Sequence, residues 1–151
     1  MNLKRLLDEK KIEEVEKQEY NDSSAIKDLE AAKDNLQDEN YDWSIVISYS
    51  AVLRTMRSYI QSLGFRTIGK EHHKNCFEFL RETEFNKDLL YYFDNIRKKR
   101  NSFVYRDVVE ENKEGAEETI LKAESFVQEM RTFVQKNRTI KSEAMDIKWW
   151  K

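Results

Sequence analysis

The sequence contains no proline, three glycines and a single cysteine. Sheet proteins need turn residues at short intervals, and this chain has few of them. Cys76 alone cannot form an internal disulfide, which is typical of a reducing compartment. No apolar run approaches the roughly 18 residues that a membrane-spanning helix requires, and residues 1–11 are charged, without the apolar core of a secretion signal. We therefore expect a mainly helical protein that resides in the cytoplasm.

Charged and hydrophobic residues are present in similar proportions, 37% and 39% of the 151 residues. This length is sufficient for one domain with a substantial core. The net charge is only −2, so any attraction of nucleic acid has to be local rather than a property of the whole surface. The aromatic content of 12% argues against disorder despite the high charge.

Apolar residues recur with helical spacing along most of the chain. Residues 3–19 are highly charged with few apolar positions, which predicts a marginal helix. Residues 21–24 interrupt it and provide an N-cap for the next helix, whose apolar stripe is Ala25, Leu29, Ala32 and Leu36. Residues 41–63 carry the broadest apolar surface: one stripe consists of Ile45, Tyr49, Val52, Met56, Tyr59 and Leu63, and it is widened by Trp43, Ile47, Leu53 and Ile60. Such a surface is expected of a central helix that contacts neighbours on several sides or a dimer partner, and Gly64 follows as its C-terminal cap. Further helices are predicted around Cys76–Leu80, from about Asn86, and over Ile120–Val134.

These stretches predict an all-α protein, an antiparallel up-and-down bundle of about four main helices with an extra N-terminal helix. We assign residues 1–22 to an N-terminal helical extension, residues 23–137 to the bundle and residues 138–151 to a C-terminal tail that contains Trp149 and Trp150. The sequence shows no internal repeat and no linker long enough to separate two domains.

The basic run Arg97–Arg100 is the segment most able to carry chemistry. The apolar stripe Leu89, Phe93, Ile96 reaches Arg100 at its next step, whereas Lys98 and Lys99 point elsewhere. An arginine on a core-facing stripe is costly to bury unless it is paired, and its planar guanidinium suits a phosphate or a carboxylate. The alternative is purely structural, because cations in the last turn of a helix also complement its dipole.

Other candidate groups give weaker signals. His72 and His73 are adjacent, so a helix separates their directions by about 100° and they cannot both bind one metal ion. One of them is a candidate accessory base in a cleft, although surface or capping roles are more usual. Cys76 is expected to be a small buried hydrophobic residue. Since no P-loop, dinucleotide fingerprint or Ser/His/Asp arrangement is present, we expect no metal and no cofactor.

The segment Arg100-Asn101-Ser102-Phe103-Val104-Tyr105 resembles the signature of the HEPN family, in which an arginine and a polar residue are followed, after four to six positions, by a histidine. The resemblance extends over roughly residues 24–136. Further segments occur in the same order in HEPN proteins: Asn40-Tyr41-Asp42-Trp43, the aromatic helix through Tyr59, Leu63-Gly64-Phe65-Arg66, and His72-His73-Lys74 followed by Phe77-Glu78-Phe79-Leu80.

The resemblance implies a four-helix bundle that pairs as a homodimer, with the arginine motif in a cleft near the two-fold axis. Many HEPN proteins are metal-independent ribonucleases, and microbial members often act as toxins beside a small nucleotidyltransferase antitoxin. Other members bind nucleotides or RNA without cutting.

This chain departs from the signature at its histidine, which is Tyr105 here. A tyrosine with a pKa of about 10 is a poor base near neutral pH, although it can hydrogen-bond a phosphate or stack on a base. The leading hypothesis is a homodimer that binds RNA or nucleotide phosphate with little or no catalysis, in a toxin–antitoxin or nucleotidyltransferase-associated system. The predicted phosphate-binding residues are Arg97, Lys98, Lys99, Arg100 and Asn101, with Tyr105 in the same site.

Two alternatives remain open. The first is an active metal-independent endoribonuclease that uses Arg100 and Tyr105, with His72 or His73 as an accessory group. The second is a non-catalytic protein-interaction module, in which the basic run is structural.

Overall fold

Six helices and one pair of short strands make up the described part of the chain, which in this computed structural model is residues 1–103 and 112–144. Side chains are described for residues 1–100 and 112–137. The predicted all-α class is confirmed. In chain order the elements are α1 (Lys4–Asp8), β1 (Ile12–Glu14), α2 (Ser23–Gln37), α3 (Tyr41–Ser62), β2 (Phe65–Thr67), α4 (His72–Arg81), α5 (Lys87–Phe103) and α6 (Lys113–Ala144).

Helix α3 is the central element and packs against α2, α4, α5, α6 and β2. Its apolar residues are too many for one face, and they are covered from several directions by the chain itself. Tyr49 and Tyr59 are only 1% and 3% exposed, so the apolar surface that also suggested a dimer seam is already buried within one subunit. Trp43, predicted to widen the stripe, is 63% exposed and lies outside the core.

The helix ends follow their local sequence. The amide of Ser23 donates to Oδ1 of Asn21 at 2.9 Å at the start of α2, while the Asp22 carboxylate binds Arg131 of α6 at 2.6 and 3.0 Å. After α3, Gly64 has a φ of +90°, and a Cβ there would meet Cγ of Lys17 at 3.2 Å. Glycine adopts this positive φ without strain, whereas a Cβ here would also require the Lys17 side chain to shift.

The predicted helix over residues 3–19 was wrong beyond Asp8. Residues Ile12–Glu14 instead form β1, which pairs antiparallel with β2 so that Ile12 lies opposite Thr67. Leu3, Leu6 and Ile12 are at most 2% exposed and join the core cluster of the bundle. Too few apolar residues occur here to bury one face of a long helix, and a short helix plus a strand buries them more completely.

At the other end, α6 continues to Ala144, beyond residue 137 where the sequence predicted the bundle to finish. Trp149 and Trp150 lie outside the described residues. Among the described residues, no helix combines the length and the apolar character needed to cross a membrane.

Candidate functional site

Arg100 lies near the end of α5 and faces the central helix. Its guanidinium carbon is 5.0 Å from the centre of the Tyr49 ring on α3, within the range of a cation–π contact. Its position follows the α5 stripe, in which Leu89 and Phe93 are buried and Ile96 packs against the core. Within the described residues, no carboxylate lies within salt-bridge distance of Arg100. In the described part of the chain, this partly buried cation is therefore supported by an aromatic face and not by a counter-charge.

Arg97, three residues earlier on α5, has the opposite environment. Its Nε donates to Oδ1 of Asp94 at 2.7 Å, and Arg81 of α4 donates to Oδ2 of Asp94 at 2.5 Å. Asp94 is 3% exposed. Burial by itself raises the pKa of Asp94, but the hydrogen bonds from Arg81 and Arg97 outweigh it and leave the pKa below its usual value. Arg97 therefore helps to hold a buried carboxylate that connects α5 to α4.

The two lysines between these arginines point outward, as the stripe predicted. The side chain of Lys98 is 63% exposed, and its Nζ is 3.9 Å from Asp94, at the limit of an ion pair. Lys99 is also exposed. Both lie on the surface beside Arg100 and can contribute only at the edge of a site there.

Tyr49 is the platform under Arg100. Its ring lies 6.5 Å from Phe77 and 6.3 Å from His73 of α4, measured between ring centroids. Burial raises the pKa of Tyr49 to about 12, against the opposing influence of Arg100 and Arg97. Its hydroxyl is buried and has no hydrogen-bond partner within the described residues. Tyr49 therefore contributes an aromatic surface to the site and not an ionisable group.

His73 lies beside this platform and is partly buried. Burial and then His72, Arg57, Arg100 and Arg97 lower the pKa of His73 to about 4. The imidazole is therefore neutral at pH 7, which is the state that accepts a proton. A base with so low a pKa is nevertheless weak until an anion offsets the surrounding cations.

His72 opens α4 and has a different partner. Nη2 of Arg57 on α3 lies 3.0 Å from Nδ1 of His72, and the ring of His72 stacks edge-to-face on that of His73, with centroids 4.3 Å apart. Within the described residues no group of three or more His, Cys, Asp or Glu side chains is arranged to hold a metal ion. Cys76 is fully buried, which raises the pKa of its thiol.

Asn101 and Tyr105 are the remaining predicted site residues. The side chain of Asn101 and the whole of Tyr105 lie outside the described part of the chain, so their roles remain predictions. The backbone of α5 stays helical through Phe103. In a continuing regular helix, positions 100 and 105 would be about 140° apart. A shared site therefore requires a change of direction after Phe103 or a second copy of the chain.

Sequence reasoning missed two contributors to this region. Tyr49 was expected in the core or at a dimer seam near the Arg100 segment, and nothing in the α3 stripe indicates which helix turn meets Arg100 within one subunit. Asp94 was overlooked although a usable signal was present, since an acid three residues before Arg97 can form an i,i+3 pair.

The family model for the HEPN domain matches residues 22–133 of this chain. No curated protein and no solved structure gives a match. The matched residues form most of the chain, including α2 to α5, the basic run and most of α6. The chain therefore belongs to the HEPN family, a membership that supports a function related to RNA or nucleotides.

Proposed function

We propose that this chain is a homodimeric protein that binds RNA or nucleotide phosphate at Arg100, with little or no catalysis. One observation carries this proposal: Arg100 is a partly buried cation with an aromatic contact and no carboxylate partner among the described residues. The cation–π contact with Tyr49 stabilises the guanidinium without neutralising it. A phosphate supplies the missing charge and accepts two parallel hydrogen bonds from such a group.

The contrast along α5 explains why Arg100 is the proposed ligand among four basic residues. Arg97 is committed to the buried carboxylate of Asp94. Lys98 and Lys99 are exposed, so they add to the electrostatic attraction without fixing the position of a ligand. We therefore assign phosphate recognition to Arg100 and a supporting role to the two lysines.

Asn101 and Tyr105 complete the proposed site. They follow Arg100 in the family signature, and Tyr105 is suited to donate a hydrogen bond or to stack on a base. Because position 105 of a regular helix faces away from position 100, a dimer that brings together two copies of this segment is part of the proposal. Sedimentation at tens of micromolar protein is expected to give a dimer, and a monomer would refute this part.

Binding is tested with a labelled single-stranded RNA and a labelled nucleotide, using fluorescence anisotropy at low salt. Arg100→Gln is expected to abolish binding. Lys98→Gln is the matched control because it removes the same charge two residues away on the same helix. Equal losses from both changes would contradict a specific Arg100 site and indicate a diffuse basic patch.

A ribonuclease is the second candidate function, and His73 is the observation that favours it. His73 contacts Tyr49, within electrostatic range of Arg100, and is neutral at pH 7. A neutral imidazole beside a phosphate-binding arginine is suited to accept the proton of a ribose 2′-hydroxyl. Metal-independent RNA cleavage that disappears in both Arg100→Gln and His73→Gln would establish this function. A protein that neither binds nor cuts RNA or nucleotides would instead be an interaction module.

The proposed biological setting is a toxin–antitoxin or nucleotidyltransferase-associated system, with a small nucleotidyltransferase as protein partner. This proposal rests on membership of the HEPN family alone. It predicts that the coding sequence of a small nucleotidyltransferase adjoins that of this chain, and that the two proteins co-purify when expressed together.

A further inference from the structure

A second group of hydrogen-bond donors lines a surface cleft where the end of α3, strand β2 and the start of α4 meet. The cleft has a volume of about 250 Å³. It contains two arginines, a histidine, a hydroxyl and an amide, and none of its lining residues is acidic. The lining residues are Arg57, Ile60, Gln61, Arg66, Thr67 and His72.

Arg57 is the central cation of this cleft, and the partner that its guanidinium contacts among the described residues is the ring of His72. Its Nη2 donates to Nδ1 of His72 at 3.0 Å, and its charge partly offsets the rise that burial causes in the pKa of the Cys76 thiol. In the part of the chain that the structure describes, no carboxylate forms a salt bridge with Arg57. A partly buried guanidinium without a counter-charge is costly, and an anion from solution relieves that cost.

The neighbours of Arg57 are arranged as additional donors. Because Nδ1 of His72 accepts from Arg57, the neutral ring carries its proton on Nε2, which is a donor. Thr67 contributes a hydroxyl, 3.5 Å from Sγ of Cys76. Arg66 adds positive charge at the rim, although its Nε is bound to Glu13 across the two strands. The helix α4 begins here, so its dipole also favours an anion.

We propose that this cleft is a second phosphate-binding site, which holds another phosphate of the ligand that Arg100 binds. This inference rests on the proposed function and deepens it by defining the ligand as one with at least two phosphates. Arg57 and His72 are the binding residues, with Thr67 and Gln61 as neutral donors. The ligand is a nucleoside polyphosphate or a segment of single-stranded RNA.

The two sites are connected by three neighbouring aromatic rings, those of His72, His73 and Tyr49. Arg57 contacts His72, His72 contacts His73, and His73 contacts Tyr49, whose ring lies against Arg100. Both Arg57 and Arg100 act electrostatically on His73. His73 therefore lies between the two guanidinium groups in this row of contacts.

The existence of the cleft site is tested with inorganic phosphate and the full chain, by following the NMR signals of the His72 ring. Phosphate is expected to shift these signals in the unaltered protein and in Arg100→Gln, and not in Arg57→Gln. Arg54→Gln is the matched control, since Arg54 lies one turn earlier on α3 and pairs with Asp28 outside the cleft. Arg57→Lys keeps the charge and is expected to keep the shifts, which provides a second test if Arg57→Gln does not fold.

The connection to Arg100 is tested by the affinity for single-stranded RNA and for a nucleoside triphosphate. Arg57→Gln is expected to lower the affinity for one of these ligands about ten-fold. For RNA it is also expected to reduce the slope of log K against log salt concentration by about 0.7. A loss of affinity for RNA alone would identify the ligand as a polynucleotide, and a loss of affinity for the triphosphate alone would identify it as a nucleotide. The inference is overturned if phosphate leaves His72 unchanged, or if Arg57→Gln weakens neither ligand more than Arg54→Gln does.

Failure of the proposed function has a different signature. In that case neither RNA nor nucleotide binds, and Arg100→Gln has no effect, while phosphate still shifts His72 in an Arg57-dependent manner. This result would support the cleft as an anion site and overturn its assignment to the same ligand as Arg100.

Discussion

The guanidinium carbon of Arg100 lies 5.0 Å from the centre of the Tyr49 ring and joins the basic end of α5 to the middle of the central helix. The contact provides a cation with an aromatic neighbour without cancelling its charge. Arg97, one turn earlier, is instead neutralised by Asp94. Two arginines on one helix therefore have separate tasks, so substitutions along α5 can distinguish stability from ligand binding.

We expect Arg97→Gln to lower the free energy of unfolding by about 1–3 kcal/mol, because it removes one of the two close arginine partners of a buried carboxylate. Arg100→Gln is expected to leave stability nearly unchanged or to raise it, since it removes a partly buried cation that has no counter-charge among residues 1–103 and 112–144. Urea denaturation at pH 7, followed by circular dichroism, compares the two. Similar small losses from both would show that the basic run merely complements the helix dipole.

Tyr49→Phe is expected to leave the free energy of unfolding unchanged or to raise it by up to about 1 kcal/mol. The Tyr49 hydroxyl is buried without a hydrogen-bond partner in the described residues. Its removal should stabilise the fold, because the hydroxyl loses its hydrogen bonds to water on folding and gains none in exchange. Tyr92→Phe is the control, because the Tyr92 hydroxyl is 3.0 Å from that of Thr119 and its loss should cost about 1 kcal/mol. A larger loss from Tyr49→Phe than from Tyr92→Phe would contradict the expectation.

Stability should fall as the pH is lowered from 7 to 5, with His73 as one cause. The pKa of His73 is lowered to about 4 by burial and by His72, Arg57, Arg100 and Arg97. The unfolded chain, with a histidine pKa near 6.5, therefore binds more protons in the interval between the two values, and acid favours unfolding there.

His73→Gln is expected to reduce this loss by about 1 kcal/mol, less than the full pKa difference implies because solvent screens the partly exposed ring. Thermal melts of both proteins at pH 5 and pH 7 measure the difference. Identical pH dependence in the two proteins would exclude His73 as the cause.

Tyr105→His is expected to introduce metal-independent ribonuclease activity, because it restores the histidine of the family signature and a base with a pKa near neutrality. Labelled RNA incubated in the presence of a chelator and analysed on a gel measures the cleavage. Arg100→Gln in the same background should remove it. Activity that persists without Arg100 would come from a different site or from a contaminant.

The helices from α2 to α6 were predictable because each carries an apolar stripe that has to be buried, and a stripe depends only on local spacing. The failure at residues 3–19 has the opposite cause. The position of Ile12 is determined by its pairing with Thr67, which is distant in the sequence, and the local spacing of apolar residues cannot identify such a partner. The sequence also misplaced Trp43, because a large apolar residue at the edge of a stripe can remain exposed without great cost.

The candidate site was predictable in part for the same reason. The stripe of α5 indicates that Arg100 faces inward, but the axial position of α5 against α3 decides that it meets Tyr49. The pairing of Arg57 with His72 depends likewise on how α3 and α4 pack. Side-chain direction along one helix is a local property, whereas the identity of a partner on another helix is a property of the assembled bundle.

The pairing of β1 with β2 also bears on how the chain folds during synthesis. Ile12 leaves the ribosome before its partner strand, which emerges only after the whole of α3. Leu3, Leu6 and Ile12 therefore remain exposed to water until the central helix and β2 have been made. Contacts between residues so far apart slow folding, and apolar segments that wait for their partners are prone to aggregate. The strand Ile12–Glu14 can therefore reach its native pairing only after α3 and β2 have been synthesised.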